Sequence, residues 1–324
     1  MSTAEQTALR ELVADVAAEV DESAVWDRIV DLGLDGIGVP ESCGGSGGTL
    51  ADLAIVADGL AAAGVGTPLI ESATARWVLA GAHVECRLPI VVIVSEATDR
   101  IVVPWGRSAD LIVAYTGDGA PVAYKLDPAI PTAVVAESVN VAGEPRDVIA
   151  LSGLERVEIP TPPSSHAATA RVAVLWSAAL TGAMRGAYLR TRDHVRIREQ
   201  FGVPLIRIPA VASALANFRT HLTLAEAAVA RAIDSAAEDD PDLDIAATAR
   251  VIAATSATEG ARLAHQLHGA IGITNEAGLH RLTTRLWAWQ DAVSSERTWA
   301  RHLGEEALTH GEDHVWSRLT AHVR

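Results

Sequence analysis

Along the first eighty positions, apolar residues recur at the spacing of a helix. Leu9, Leu12, Val13, Val16 and Val20 fall on one face, which predicts an amphipathic helix. Ser23 is placed to cap a second helix that ends at Gly33. The loop GIGVPESCGGSGG follows, and Thr49 then opens the helix LADLAIVADGLAAAG as its N-cap, with Gly64 closing it in the C′ position. Pro68 stands in the first turn of a further helix reaching about Ala80.

From about position 88 to 160 the pattern changes. PIVVIVS, RIVVPW, DLIVAY, PVAYKL and TAVVAE are short β-branched runs between Gly, Pro and Asp, the pattern of strands. They predict five or six strands in a small β unit, with no GxGxxG opening a helix after any of them. The segment TPPSSH leads into four or five long helices. Ile208, Val211, Leu215, Phe218, Leu222 and Ala225 form one stripe of 3.6-residue period. Asp239-Asp240-Pro241 marks the next turn, and Ile245, Ile252 and Leu263 carry the helix beyond it. An antiparallel four-helix bundle is the natural packing of such a run. The chain thus reads as mainly α with a small β domain: an N-terminal helical domain over 1–85, a reduced β domain over 86–162 and a C-terminal helical bundle over 163–324.

Composition narrows the function classes. The chain has 324 residues, 49% of them hydrophobic and only 4% aromatic, so small side chains must pack closely in a sizeable core. No run of about 18 uncharged apolar residues suggests a membrane span. The acids in MSTAEQTALRELVADVAAEV and its lack of a basic start argue against a signal peptide. These features point to a soluble cytoplasmic protein. Cys43 and Cys86 sit outside any CxxC pattern and read as free thiols of a reducing compartment. A net charge of −15 argues against nucleic acid or anionic membrane as partner, so any polyanion site must be a local exception built from arginine. Lys125 is the single lysine.

Three motifs carry candidate chemistry. LGLDGIGVPESCGGSGG precedes the Thr49-capped helix and lacks the Gly-Lys-Ser/Thr of a Walker loop. Arg196-Ile197-Arg198-Glu199-Gln200-Phe201-Gly202-Val203-Pro204-Leu205 ends a long helix. Its guanidinium forks suit pairs of phosphate oxygens, Phe201 offers an apolar face, and Gly202 permits a sharp turn. Gln266-Leu267-His268-Gly269-Ala270-Ile271-Gly272-Ile273-Thr274 has glycines that let backbone amides approach phosphate closely. His268 alone also reads as a packing histidine. In their order and spacing these stretches resemble the acyl-CoA dehydrogenase family. The resemblance implies that Arg198, Gln200 and Phe201 reach the pyrophosphate and adenine of FAD. It implies that Gln266, Leu267, His268 and Gly269 close over the diphosphate of the FAD bound by a neighbouring subunit. Ala270 and Ile273 depart mildly from the family pattern, and Pro209 stands where the family usually has a Gln near the adenine.

The family also requires a catalytic glutamate at one of two places. Counting from Arg198 and from Gly269 puts Val172 and Val293 there, with Asp291 and Glu296 the nearest acids to the second. The family's middle-domain segment survives only as Ser95-Glu96 in VIVSEATD. The resemblance is therefore to the short subunit of actinobacterial α2β2 acyl-CoA dehydrogenases. It implies an acyl-CoA substrate and a partner chain that holds the flavin ring and the catalytic Glu. Two alternatives stand beside it: a self-sufficient homo-oligomer using Asp291 or Glu296, and a structural partner subunit that binds no flavin. Ala179, Gly182 and Ala183 would leave room in an acyl pocket if they faced it. Trp287 and Trp289 read as core or subunit-contact residues. His310-Gly311-Glu312-Asp313-His314 reads as a solvated helix end, not a metal site.

Overall fold

The computed structural model describes residues 3–19, 22–82, 84–94, 96, 98–117, 119–127, 133–236 and 240–320. Val20, Ser95, Thr132 and Asp239, named above, lie outside them. Four helices come first: α1 (Thr3–Ala17), α2 (Glu22–Asp31), α3 (Leu50–Ala63) and α4 (Leu69–Val78). Ser23 lies within α2 and not at its cap. The signals at the ends of α3 are read correctly. The Thr49 hydroxyl accepts from the Asp52 amide while the Asp52 carboxylate accepts from the Thr49 amide, a reciprocal capping box. Gly64 ends the helix with φ 77°, a left-handed conformation that glycine adopts without strain.

Seven strands follow among the described residues: β1 (Pro89–Val94), β2 (Arg100–Pro104), β3 (Leu111–Thr116), β4 (Val122–Lys125), β5 (Val134–Ala136), β6 (Arg146–Ala150) and β7 (Arg156–Val157). They form two sheets, ordered β1-β3-β4-β7 and β2-β6-β5, with β1 and β3 parallel. One face of β1 and β3 (Ile90, Val92, Ile112, Ala114) packs against Ile101, Val103 and Ile149 of the second sheet. Their other face (Val91, Leu111, Val113, Tyr115) joins the helical core. Covering both faces explains why β1 reads as an unbroken apolar run. Strand β6 escapes the sequence pattern because its buried residue Asp147 is charged. Arg107 neutralises it, with Nη2 to Oδ1 at 2.6 Å.

Six helices complete the chain: α5 (Ser165–Ile197), α6 (Pro209–Asp234), α7 (Leu243–His268), α8 (His280–Trp289), α9 (Glu296–His310) and α10 (Glu312–Thr320). Between α5 and α6 lies a tight hairpin of β8 (Glu199–Gln200) and β9 (Val203–Pro204). The predicted stripe of α6 buries Leu215, Phe218, Leu222 and Ala225. On α7, Ile245 and Leu263 are buried and Ile252 is half-buried. By length and composition α5 could cross a membrane, yet 94% of its most apolar window is inside the protein. It is the central core helix, packed on α3, α6 and α7.

Contact between α5 and α3 depends on glycine. A Cβ at Gly182 would lie 2.1 Å from the Asp58 carbonyl oxygen, and one at Gly186 2.2 Å from that of Ala62. Gly182 therefore faces α3, while Ala179 and Ala183 are buried in the helical core. Gly182→Ala is expected to push the helices apart and cost about 1–3 kcal/mol, measured by urea unfolding. An unchanged midpoint would contradict this packing.

Candidate functional site

Two cavities stand at the two ends of α5. The first gathers both of the later motifs. Arg198, Gln200, Gln266, Leu267, His268, Gly269, Ala270 and Ile271 line a cavity of about 530 Å³ together with His194, Leu205, Ile208, Ala210, Val211 and Ala214. Six of the seven residues expected to hold FAD are thus brought together from segments nearly seventy positions apart. The seventh, Phe201, is 91% exposed and lies outside the cavity. Phe201 and Gly202 both have positive φ, 54° and 77°, so they form the left-handed tip of the β8–β9 hairpin. Ile197, Ile271 and Ile273 are exposed nearby in sequence, at 80%, 50% and 78%.

The polar character of this cavity is cationic and incompletely paired. Among the described residues no carboxylate pairs with Arg198. At the helix end, Gly269 has φ 64° and ψ −146°, a conformation closed to other residues without strain. His194 and His268 stack with ring centres 4.5 Å apart and planes at 17°. The Nδ1 of His268 donates to the Ala264 carbonyl at 2.8 Å. Burial holds both imidazoles below their ordinary pKa, aided by Arg198 beside His194 and by His194 itself beside His268. Sequence reasoning missed His194, although it lies one helical turn before Arg198. The free guanidinium, the glycine turn and the partly desolvated donors fit the diphosphate of a dinucleotide.

The second cavity, about 560 Å³, lies between the strands and the helices. Val172 and Val293, the two positions where the family places its base, both line it. So does Asp291, which is exposed, whereas Glu296 does not. Val293 has φ 70°, a strained backbone for a β-branched residue. Trp176 supplies part of the wall and packs against buried Trp289, ring centres 5.4 Å apart. Trp289 is therefore core, and Trp287 is 44% exposed. The Trp289 indole N–H donates to buried Glu144 at 3.0 Å, and Arg285 Nε lies 3.3 Å from the same carboxylate.

An acid not found from the sequence also faces this cavity. Glu71, in the first turn of α4, is 4% exposed, and its Oε2 has no hydrogen-bond partner. Burial raises its pKa to about 7, opposed by the charge of Arg146, which also lines the cavity. At first sight Glu71 reads as an ordinary helix-N-terminal acid, and only the packing of α4 on β1 removes it from water.

Val172 and Arg198 are 26 positions apart along α5, about 39 Å at the rise of a helix. The two cavities are thus separated by more than one extended dinucleotide spans. Residues of the Gly36–Gly48 loop line neither cavity. The loop folds on itself through a Val39–Gly47 bridge, and a Cβ at Gly45 would fall 2.2 Å from the Val39 carbonyl oxygen. Cys43 is exposed, and burial pushes the Cys86 thiol up to about 11, so Cys86 is not activated. The rings of His310 and His314 lie 5.1 Å apart, and no metal-binding cluster occurs among the described residues.

A fold of helices, small sheets and helices, with both later motifs at the C-terminal end of α5, is that of the acyl-CoA dehydrogenases. The family models agree: the acyl-CoA dehydrogenase N-terminal domain matches residues 2–82 and the C-terminal domain residues 166–288. Acyl-CoA dehydrogenase IpdE2 of Mycobacterium tuberculosis is 30% identical over 293 residues, covering 88% of this chain and 87% of the relative. Acyl-CoA dehydrogenase FadE34 of the same organism is 28% identical, and the match covers 86% of this chain but only 41% of that longer protein. In fold the chain is similar to a chain of the ChsE4-ChsE5 complex from Mycobacterium tuberculosis, with TM-score 0.78, 19% identity and coverage of 95% and 98%. The chain belongs to the acyl-CoA dehydrogenase family.

The raised pKa of Glu71 has a signed consequence. Folded, Glu71 keeps its proton up to about pH 7; unfolded, it loses it near its ordinary 4.5. Between those values the folded state binds more protons, so its stability falls as pH rises. Glu71→Gln is expected to match the parent near pH 4.5 and exceed it at pH 8 by on the order of 3 kcal/mol. Chemical denaturation at the two pH values measures this, and a gap independent of pH would contradict it.

Proposed function

We propose that this chain is a subunit of an FAD-dependent acyl-CoA dehydrogenase. It provides the diphosphate-and-adenine half of a flavin site whose ring half and catalytic Glu belong to a partner chain in an α2β2 assembly. One observation carries the reading. Both phosphate-binding motifs close on one cavity, while both positions for a base are valines in another cavity about 39 Å away along α5. A flavin whose diphosphate rests on Arg198 and Gly269 cannot place its ring in the valine-lined cavity of the same chain. The exposed Phe201, Ile197, Ile271 and Ile273 give the surrounding surface the apolar character of a contact covered in an assembly. The resemblance in fold to a chain of a two-component complex supports the same arrangement. The domains fall at 1–85, 86–162 and 163–324, and the complex is soluble and cytoplasmic.

Bound FAD would supply the hydride acceptor for α,β-desaturation of an acyl-CoA thioester. This chain's residues bind and orient. The Arg198 guanidinium takes a pair of phosphate oxygens, and the strained turn at Gly269 brings backbone amides close without a Cβ between. Gln200 and Gln266 offer amide donors at the rim. Phe201 projects from its hairpin tip towards the partner. His268 spends its Nδ1 proton on Ala264, which leaves Nε2 of the neutral ring an acceptor, so an anion held there must draw in a proton. Affinity for ADP is accordingly expected to rise as pH falls from 7.5 to 6, measured by isothermal titration. A flat profile would remove the histidine pair from the site. Arg198→Ala is expected to weaken ADP binding by about 1.5–3 kcal/mol.

A self-sufficient enzyme is the second reading, favoured by Asp291 lining the valine cavity. Flavin stoichiometry separates the two. Purified alone, the chain is expected to carry little FAD; co-purified with its partner, the complex should hold one FAD per pair of chains. A yellow homo-oligomer with one FAD per chain, inactivated by Asp291→Asn, would overturn the shared-site reading. A co-complex without flavin would make the chain a purely structural partner.

A further inference from the structure

The valine-lined cavity lacks a base at either family position, yet its polar floor is not what an abandoned core would hold. Glu71 is 4% exposed and lines the cavity with its Oε2 unpartnered. A buried carboxyl oxygen left unmade costs free energy, and it holds no other element of the fold in place. Arg146 lines the same cavity and is engaged only in part: its Nη1 donates to the Pro145 carbonyl at 2.9 Å, and its Nη2 lies 3.9 Å from Glu144. Among the described residues no ion pair joins Arg146 to Glu71. The remaining wall is apolar, built by Val91, Ile93, Ile101, Val172, Trp176 and Val293. Glu96, Arg100 and Asp291 are the other charged groups of the lining, all exposed to solvent.

We infer that this cavity is a ligand site of the chain in its own right, taking an apolar body that bears one neutral oxygen, a hydroxyl or a ketone, which Glu71 and Arg146 hold. A hydroxyl donates to the Glu71 carboxylate or accepts from its protonated form, and a ketone accepts from either neighbour. With burial raising its pKa to about 7, Glu71 is available in both forms at neutral pH. A ligand carboxylate is excluded, because it would set a second buried anion beside Glu71. The strained backbone of Val293 fits the pattern in which conformational cost collects where a ligand is bound. The site requires neither flavin nor partner, so it stands or falls separately from the shared-flavin reading.

The test uses the full-length chain with three bicyclic probes, 2-naphthol, naphthalene and 2-naphthoate, titrated against the fluorescence of wall residue Trp176 and by calorimetry. 2-Naphthol is expected to bind about tenfold more tightly than naphthalene, the scale of one buried hydrogen bond, and 2-naphthoate more weakly than either. Glu71→Leu should bring 2-naphthol down to the affinity of naphthalene while naphthalene itself still binds, which also shows the variant to be folded. Glu71→Gln, which keeps a donor and an acceptor, should retain most of the preference. Equal affinity for the three probes, no binding of any, or a preference that survives Glu71→Leu would each overturn the inference. If Glu71→Leu does not fold, a crystal structure with 2-naphthol decides. The hydroxyl within hydrogen-bond distance of Glu71 supports the site, and its placement anywhere else overturns it.

Discussion

The close approach of α5 to α3 is the contact on which the rest of the molecule depends. Gly182 and Gly186 let the two backbones meet where any Cβ would strike a carbonyl oxygen. That contact fixes a helix of 33 residues through the centre of the protein. One end presents Val172 and Trp176 to the cavity beneath the sheets, and the other presents His194 and Arg198 to the glycine turn at the end of α7. A rigid rod thus sets the distance between the two sites. On the reading proposed above, a flavin held at one end has its chemistry in another chain, because that distance exceeds the reach of one dinucleotide.

Electrostatics follows the same division. The chain carries −15 overall, yet the cavity that gathers both motifs keeps an unpaired arginine and two imidazoles whose pKa burial lowers. Some buried charge is cancelled in place: Asp147 by Arg107, and Glu144 by Arg285, with the Trp289 indole N–H donating to the same carboxylate. Other charged groups keep side-chain atoms without a partner, Glu71 near one end of α5 and Arg231 and Arg250 in the helices beyond it, and of these three only Glu71 lines one of the two cavities.

Much of this was legible in the sequence because the signals are local. Thr49 and Gly64 bound α3 by capping chemistry, and the Phe218 stripe declares its helix by period alone. The Arg198 and Gly269 motifs stood out in the sequence, and the fold brings their residues to one cavity. Other features depend on tertiary packing. Strand β6 was hidden by Asp147, whose charge reads as exposed until Arg107 is seen beside it. Ser23 is a good cap by type but lies inside α2. Glu71 could not be told from a solvated first-turn acid, since its burial comes from tertiary packing around α4, which meets β1 and α5 later in the chain. Phe201 was expected to reach the adenine of a flavin, and the left-handed hairpin holds it exposed at its tip.

The central claim is the division of one flavin site between two chains, and photolabelling tests it most directly. The assembled complex would be reconstituted with FAD bearing an azide on adenine, irradiated, and the labelled peptides mapped by mass spectrometry. The expected label falls on this chain within residues 194–214 or 266–271, while an azide on the flavin ring labels only the partner. Label from the ring azide on this chain, at residues 91–104 or 288–293, would contradict the division and return the chemistry to the valine-lined cavity.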